Sequence, residues 1–550
     1  STGSYGLTRA SIDKYGIIDG NKAFMYRVNG AYQYQNSFQD AGFKKSFFIA
    51  PSFRYQPNER LYVDLDFTYN SSEGTNPVAI YLNRTRALIA KDPEALNFDW
   101  KRSYTSNDIT IKTPTVNARA LINYRISKGW TSQTIVSSNT RKSNGFYQYE
   151  FMRMSTDDSL QRTFSYQNTV NQNIDVQQNF ISDFYIGKFR NRLLVGLDYL
   201  RQNVNNDNSP YIVYDTVMGT LGTTKSYGKL FAYNLENRLA NTTASSTNNN
   251  SHINIFSAYA SDVFSITERL LVMASLRVDR YANLGTTNNL TNTMTANSRF
   301  NQTAFSPKFG LVYEIIPNQL SAFANYLNGF SNVSPVNQPL PEYSGILKPQ
   351  HANQYEGGLK LHLISGKLDL TTSYYNIEVN NMSTIMNVEK DNQSYAITVQ
   401  DGTQRSRGFE FDLTANPISG LNILAGYGYN DSKYVKSAAA TQGLRPNSAG
   451  PSNLANLWAS YRLLNGRIKG LGLGFGGNYI SKNYSVNSAT IGTFTFPDYV
   501  LLNASIFYDI SHLHLAVKLN NLTNEHYFTG QTVVSPQMPR NFIATIGYSL

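Results

Sequence analysis

The stretch Leu61-Tyr62-Val63-Asp64-Leu65-Asp66-Phe67-Thr68-Tyr69-Asn70 sets Leu, Val, Leu, Phe and Tyr against Tyr, Asp, Asp, Thr and Asn at alternate positions. Successive side chains of a β-strand point to opposite faces, so a period of two describes a strand with one apolar and one wet face. Just upstream, Phe47, Ile49, Phe53 and Tyr55 lead into the polar turn Gln56-Pro57-Asn58-Glu59-Arg60, which makes the two runs a hairpin. The unit recurs in both directions. Phe24, Tyr26, Val28, Gly30 and Tyr32 alternate before it, and Val116, Ala118, Ala120, Ile122, Tyr124 and Ile126 run into Ser127-Lys128-Gly129 after it. Phe180, Phe184 and Ile186 reach Gly187-Lys188, and Leu193, Val195, Leu197 and Tyr199 leave it. Ile253, Ile255, Tyr259 and Val263 pair with Leu270, Val272, Ala274, Leu276 and Val278. Val500, Leu502, Ala504, Ile506 and Tyr508 turn at Ile510-Ser511-His512 into Leu513, Leu515, Val517 and Leu519. Phe542, Ala544, Ile546, Tyr548 and Leu550 alternate to the last residue.

The 550 residues exceed what one soluble core holds, since such cores stop growing at roughly 250–300 residues. Aromatics make up 13% and charged residues only 15%, against a usual ~25% charged. A chain this aromatic has ample surface to bury, which excludes disorder. No run of eighteen apolar residues supports a transmembrane helix. The mean hydropathy of −0.37 reads as soluble, but a membrane β-barrel averages its lipid-facing and lumen-facing residues to the same polar value. With no cysteine there is neither a disulfide framework nor a thiolate metal site. The net charge of +11 is scattered rather than gathered in runs, which favours lipid head groups or an anionic ligand over nucleic acid.

A soluble β-sandwich or propeller also alternates. Three features choose the large antiparallel transmembrane barrel instead. The strands run ten residues or more, against a soluble norm of about five or six. Tyrosines gather at strand ends, where an interfacial girdle places them. The turns are asymmetric, short at one end and long at the other. The long excursions are Asn70–Asn107, Gln202–Ser251, Asn283–Gln302, Asn328–Gln350 and Met382–Gln393, all expected as loops on one side of the membrane. Gly472, Gly474 and Gly476 alternate along one strand, as expected where side-chain-free positions relieve crowding at a tight barrel wall or beside a plug.

Several motifs, in order, carry a family resemblance. They include Gly3-Ser4-Tyr5-Gly6-Leu7-Thr8-Arg9-Ala10-Ser11-Ile12-Asp13, Ile49-Ala50-Pro51-Ser52 and Phe305-Ser306-Pro307-Lys308-Phe309-Gly310-Leu311. Leu347-Lys348-Pro349 is followed by Asn353-Gln354-Tyr355-Glu356-Gly357-Gly358-Leu359-Lys360, and then by Ser406-Arg407-Gly408-Phe409-Glu410-Phe411. Pro451 through Trp458, Asn520-Asn521-Leu522-Thr523-Asn524-Glu525-His526-Tyr527 and Pro539-Arg540-Asn541-Phe542 complete the set. In this order the chain resembles the barrel of a TonB-dependent outer-membrane receptor of the siderophore-receptor branch. The resemblance implies about 22 strands in the complete receptor and about 21 in residues 1–550, a barrel domain whose N-terminal plug and first strand are not in this sequence. It also implies a Gram-negative outer-membrane location, lipid and lipopolysaccharide around the wall, and energy from the TonB-ExbB-ExbD complex. The family usually ends in Phe, where this chain has Leu550.

No Gly-x-Ser-x-Gly, phosphate loop or dinucleotide fingerprint occurs, and six histidines form no metal-spaced set, so neither catalysis nor a protein-bound metal is expected. Ligand capture remains. A ferric siderophore carries its own iron and offers bulk, negative charge and aromatic surface. Tyr81, Arg84, Arg86, Phe330, Tyr343, Tyr434 and Tyr484 are the candidate contacts, through stacking and charge neutralisation. Glu356, Lys360, Arg407 and Glu410 are expected as lumen-facing charges able to meet one another or the plug. Haem, cobalamin, a peptide or an oligosaccharide are alternative cargoes, and a passive or structural outer-membrane barrel within a larger complex is the rival from another class.

Overall fold

The computed structural model describes residues 1–222 and 230–549. Leu550, and residues 223–229 within the excursion Gln202–Ser251, lie outside the described residues. Among the described residues, antiparallel strands close into a ring of 22 positions. The ring strands range from eight residues in Leu513–Asn520 to 28 in Ser159–Ile186, apart from one of two residues. Crossing a bilayer takes about 9–11 tilted residues, so the longer strands rise well above the membrane.

Backbone hydrogen bonding explains the closed ring. In hydrocarbon an unpaired N–H or C=O costs several kcal/mol, and only closure removes both sheet edges. The closing strand is Thr2–Gly3. It pairs with Ala544 and Ile543 on one side and with Thr8 and Leu7 on the other. Ser1 extends the pairing, exchanging backbone hydrogen bonds with Arg9 at 2.7 and 2.9 Å. The expectation of a ring lacking its first strand is thus corrected. Two residues cannot display an alternation, and the first position is filled by too short a strand to be read from sequence. Gly3 is required there, since a Cβ would come within 2.3 Å of the Phe542 carbonyl oxygen.

Facing follows the alternation. Phe53, Leu65, Phe67, Phe475 and Ile506 are exposed on the outer parity, with Leu65 49% and Phe475 55% accessible, as a lipid-contacting surface requires. The opposite parity is polar. Arg54 pairs with Asp64 at 2.6 Å, Arg27 with Asp13 at 2.6 Å, and Arg190 with Asp183 at 2.5 Å. Gly472, Gly474 and Gly476 sit on that inner parity under large rings. A Cβ on Gly472 would meet the Phe507 ring at 2.2 Å, and one on Gly474 would meet Trp458 at 2.5 Å. The crowding expected at these glycines is real.

Short connections such as Lys128-Gly129, Gly187-Lys188 and Ser511-His512 share one end of the barrel. Longer ones share the other: residues 209–222 with 230–246, 289–298 and 332–349 fall within three of the expected excursions, 75–114 overlaps a fourth but runs seven residues past Asn107, and 437–452, 481–498 and 521–540 add to them. The fifth expectation, Met382–Gln393 as a loop, is corrected. Leu368–Lys390 and Gln393–Ala415 form one continuous hairpin, turned by Asp391 and Asn392, both at positive φ. Register shifts near Met382 interrupt the period of two and hide the strand from a pattern search.

The dry core of the described residues lies in the loops. Ile80, Leu82, Leu96, Phe98, Met152, Leu160, Phe494, Phe496 and Val534 bury one another there, and Phe146, Phe164, Leu230 and Leu235 form a second cluster beside the helix Ala232–Ala240.

Candidate functional site

A small sheet organises the mouth. Val533–Pro536 pairs with Ile80–Tyr81, which runs parallel to the end of Trp130–Phe151, which in turn pairs with Ser159–Ile186. Because neighbours in register share a face, Tyr81, Tyr147, Tyr149 and Phe151 stand together on one side. Tyr81 lies 5.0 Å from Tyr149 and 5.9 Å from Phe151, centroid to centroid. Tyr211 joins at 5.7 Å from Tyr149 and 6.4 Å from Tyr147. The Arg153 guanidinium covers Phe151 at 4.2 Å. These groups are some seventeen or more residues beyond the periplasmic turn at Lys128-Gly129, clear of the span that crosses the membrane. Burial pushes the Tyr147 hydroxyl up to about 12 and raises Tyr149 and Tyr211, so all three phenols stay protonated and can donate.

The opposite face of the sheet is fastened by buried polar groups. Arg162 is fully buried and holds Asp215 in a bidentate pair at 2.7 and 2.5 Å, while donating to the Tyr104 carbonyl at 3.3 Å. The carboxylate of Glu150, in register with Arg162, accepts from Gln148 Nε2 at 2.7 Å and from the Ala79 backbone N–H at 3.2 Å. Desolvation outweighs these hydrogen bonds and lifts the Glu150 carboxyl to about 7. The Ala79–Tyr81 segment that presents the Tyr81 ring is therefore tied to a group that titrates near neutrality.

Of the residues singled out from sequence, Tyr81 enters the ring cluster. Arg84 is exposed on the same connection. Arg86 is a strut: it pairs with Asp157 at 2.6 Å, and its Nη2 donates to the Met154 carbonyl at 3.0 Å. Phe330 faces His351 at 6.4 Å, Tyr343 ends the short turn Pro341–Tyr343, Tyr434 lies where its backbone bonds Leu444, and Tyr484 has Lys482 at 5.9 Å. Among the described residues none of these four makes a ring contact with the Tyr81 cluster. Glu356, Lys360 and Glu410 share the inner parity. Glu356 accepts from Gln354 at 3.1 Å, and Lys360 lies over Phe323 at 5.4 Å. Arg407 is corrected: it alternates with Phe409 and Phe411 on the outer parity, in the body of Gln393–Ala415, and pairs there with Asp431 at 3.0 Å. Sequence reasoning missed Tyr147, Tyr149 and Phe151. The signal was present, an aromatic at every second position of Phe146-Tyr147-Gln148-Tyr149-Glu150-Phe151, on a segment where only its neighbours were read.

A closed ring of this size, with polar inner parity and a ligand-sized aromatic mouth, defines an outer-membrane receptor barrel. The chain belongs to the TonB dependent receptor-like, beta-barrel family, whose model matches residues 19–522. It is 22% identical over 554 residues to the metal-pseudopaline receptor CntO of Pseudomonas aeruginosa (strain UCBPP-PA14), covering 99% of this chain and 74% of that protein. It is 23% identical over 555 residues to the ferrichrome outer membrane transporter/phage receptor of Escherichia coli (strain K12), covering 96% and 70%. The fold superposes on the crystal structure of the siderophore receptor PiuA from Acinetobacter baumannii with a TM-score of 0.82 at 17% identity, over 100% of this chain and 80% of that one. The family is not enzymatic, and its barrels reside in the outer membrane of Gram-negative bacteria.

Proposed function

We propose that this receptor binds a ferric siderophore at its extracellular mouth and imports it with energy delivered through TonB. The observation that carries this reading is the five-ring cluster of Tyr81, Tyr147, Tyr149, Phe151 and Tyr211, edged by Arg153. Rings stack on the apolar face of a chelate, protonated phenols donate to its oxygens, and the exposed guanidiniums of Arg84 and Arg153 neutralise its charge. The siderophore holds the iron, so no protein ligand to the metal is needed. The relatives, a metal-pseudopaline receptor and a ferrichrome transporter, support the same class of cargo.

Binding acts equally in both directions, so accumulation requires external work. In this reading a plug domain fills the lumen, Glu356, Lys360 and Glu410 contact it, and the TonB-ExbB-ExbD complex moves it. Lipid and lipopolysaccharide surround the outer parity. The test is growth of cells with and without the gene in iron-chelated medium supplemented with a panel of ferric siderophores. Gene- and TonB-dependent rescue by one of them is expected. Equal growth of both strains on every member of the panel overturns the assignment.

A further inference from the structure

Three connections far apart in sequence, joined by Leu221 from a fourth, converge on a second cleft, of about 550 Å3. Its floor is aromatic: Phe98 and Trp100 come from residues 75–114, Tyr499 from the head of its strand, and Tyr527 from residues 521–540. Tyr499 and Tyr527 lie 4.6 Å apart, and Trp100 lies 4.3 Å from His526, centroid to centroid. Glu94, Asp498 and Glu525 also line the cleft, one from each of the three connections and all exposed. Among the described residues no Lys, Arg or His stands in ion-pair contact with any of the three. On the same connection as Glu94, Lys91 donates to the Leu88 carbonyl at 2.6 Å, Arg102 pairs with Asp99 at 3.0 Å, and Lys101 lies over the Trp100 ring at 5.4 Å, a cation already drawn to that floor.

Aromatic faces attract a cation through the ring quadrupole, and unneutralised carboxylates around them add Coulomb attraction. The carboxylates do not converge on a point. Among the described residues no group of three or more His, Asp or Glu could hold a metal ion. A compact metal ion therefore fits poorly, and an anion is repelled by the rim. What matches both floor and rim is a bulky cation with its charge spread over an apolar surface. We propose that this cleft is a recognition site for organic cations of the substituted-ammonium or guanidinium class. It is separate from the tyrosine surface, whose free charges are arginines and select the opposite sign.

Choline serves as the ammonium probe, and 3,3-dimethylbutan-1-ol, with carbon in place of the quaternary nitrogen, as its neutral counterpart. Each is titrated calorimetrically into the full-length receptor in detergent micelles. Choline should bind saturably and at least tenfold more tightly than the alcohol. The combined change Glu94→Gln, Asp498→Asn, Glu525→Gln should weaken choline at least tenfold, as should Trp100→Ala. Because the three carboxylates are exposed and unpaired, the triple variant keeps its fold, which unchanged hydrogen exchange in the loops verifies. Tyr149→Ala should leave choline binding intact while lowering siderophore affinity, so the two sites fail independently. Equal affinity for the two probes, an unaltered triple variant, absence of saturation by choline, or loss of choline binding in Tyr149→Ala would each overturn the proposal.

Discussion

Replacing Glu150 with glutamine should make the loop core above the barrel more stable at pH 8 and leave it nearly unchanged at pH 5. The carboxyl is buried between the Ala79–Tyr81 segment and the wall, and burial raises it from an ordinary 4.5 to about 7. A carboxyl shifted upward binds its proton more tightly in the folded state. Its contribution is thus fully present below about pH 4.5 and is lost as pH rises through about 7, where the ionised group costs on the order of 3 kcal/mol. Glutamine carries no charge and removes that slope. Against the ionised group it forfeits one of two hydrogen bonds, since the carboxylate accepts from both Gln148 and Ala79 while an amide offers a single acceptor oxygen, a loss of about 1 kcal/mol. The balance is a gain of about 2 kcal/mol at pH 8 that vanishes by about pH 5, where the protonated acid and the amide are alike. Arg162 stays paired with Asp215 in both proteins and so does not alter the comparison. The assay is hydrogen exchange of the Ala79, Ile80 and Tyr81 amides from pH 5 to 8, corrected for intrinsic exchange rates. Protection in the unsubstituted protein should fall with rising pH and be flat in the variant. Flat protection in both would refute the reasoning.

Gly3→Ala should weaken ring closure, because its Cβ would lie 2.3 Å from a backbone oxygen that cannot turn aside; overpacking of this kind costs about 1–3 kcal/mol, read as a lower transition in heat-modifiable electrophoresis. An unchanged transition would deny Thr2–Gly3 its sealing role. Ala504→Arg faces lipid and should cost ~2–4 kcal/mol and impair assembly, whereas Ser505→Arg on the inner parity should assemble; equal yields would reverse the facing. Tyr149→Ala should lower siderophore affinity by about 2 kcal/mol, roughly thirtyfold, with surface abundance retained, while Tyr343→Ala, outside the ring cluster, should leave affinity unchanged.

The wall was legible because lipid on one side and a polar lumen on the other impose a period of two that no tertiary contact overrides. Leu61–Asn70 shows this, and the structure places Leu65 and Phe67 on the exposed outer parity. Where the period breaks, reading fails for local reasons. The register shifts near Met382 made the long hairpin look like a loop, and Thr2–Gly3 is too brief to have a period. The position of Arg407 could have been read from its spacing to Phe409 and Phe411, but the charge drew it toward the lumen, whereas its outward guanidinium is matched by Asp431. The mouth was only partly legible. Tyr81 has no neighbours in sequence that announce Tyr149 or Tyr211. They meet through pairing between Ile80–Tyr81 and a strand end some seventy residues on, and no local pattern encodes that choice.

The dry core above the barrel joins Ile80 to Val534, residues 454 positions apart, in one ladder. Contacts of such separation carry a large loop-closure entropy. Val534 lies in the connection just before the strand that meets Thr2–Gly3, so the roof requires the last part of the wall to stand beside the first. Integrity of that roof is therefore a readout of completed insertion: an antibody recognising it would score finished barrels and pass over stalled ones.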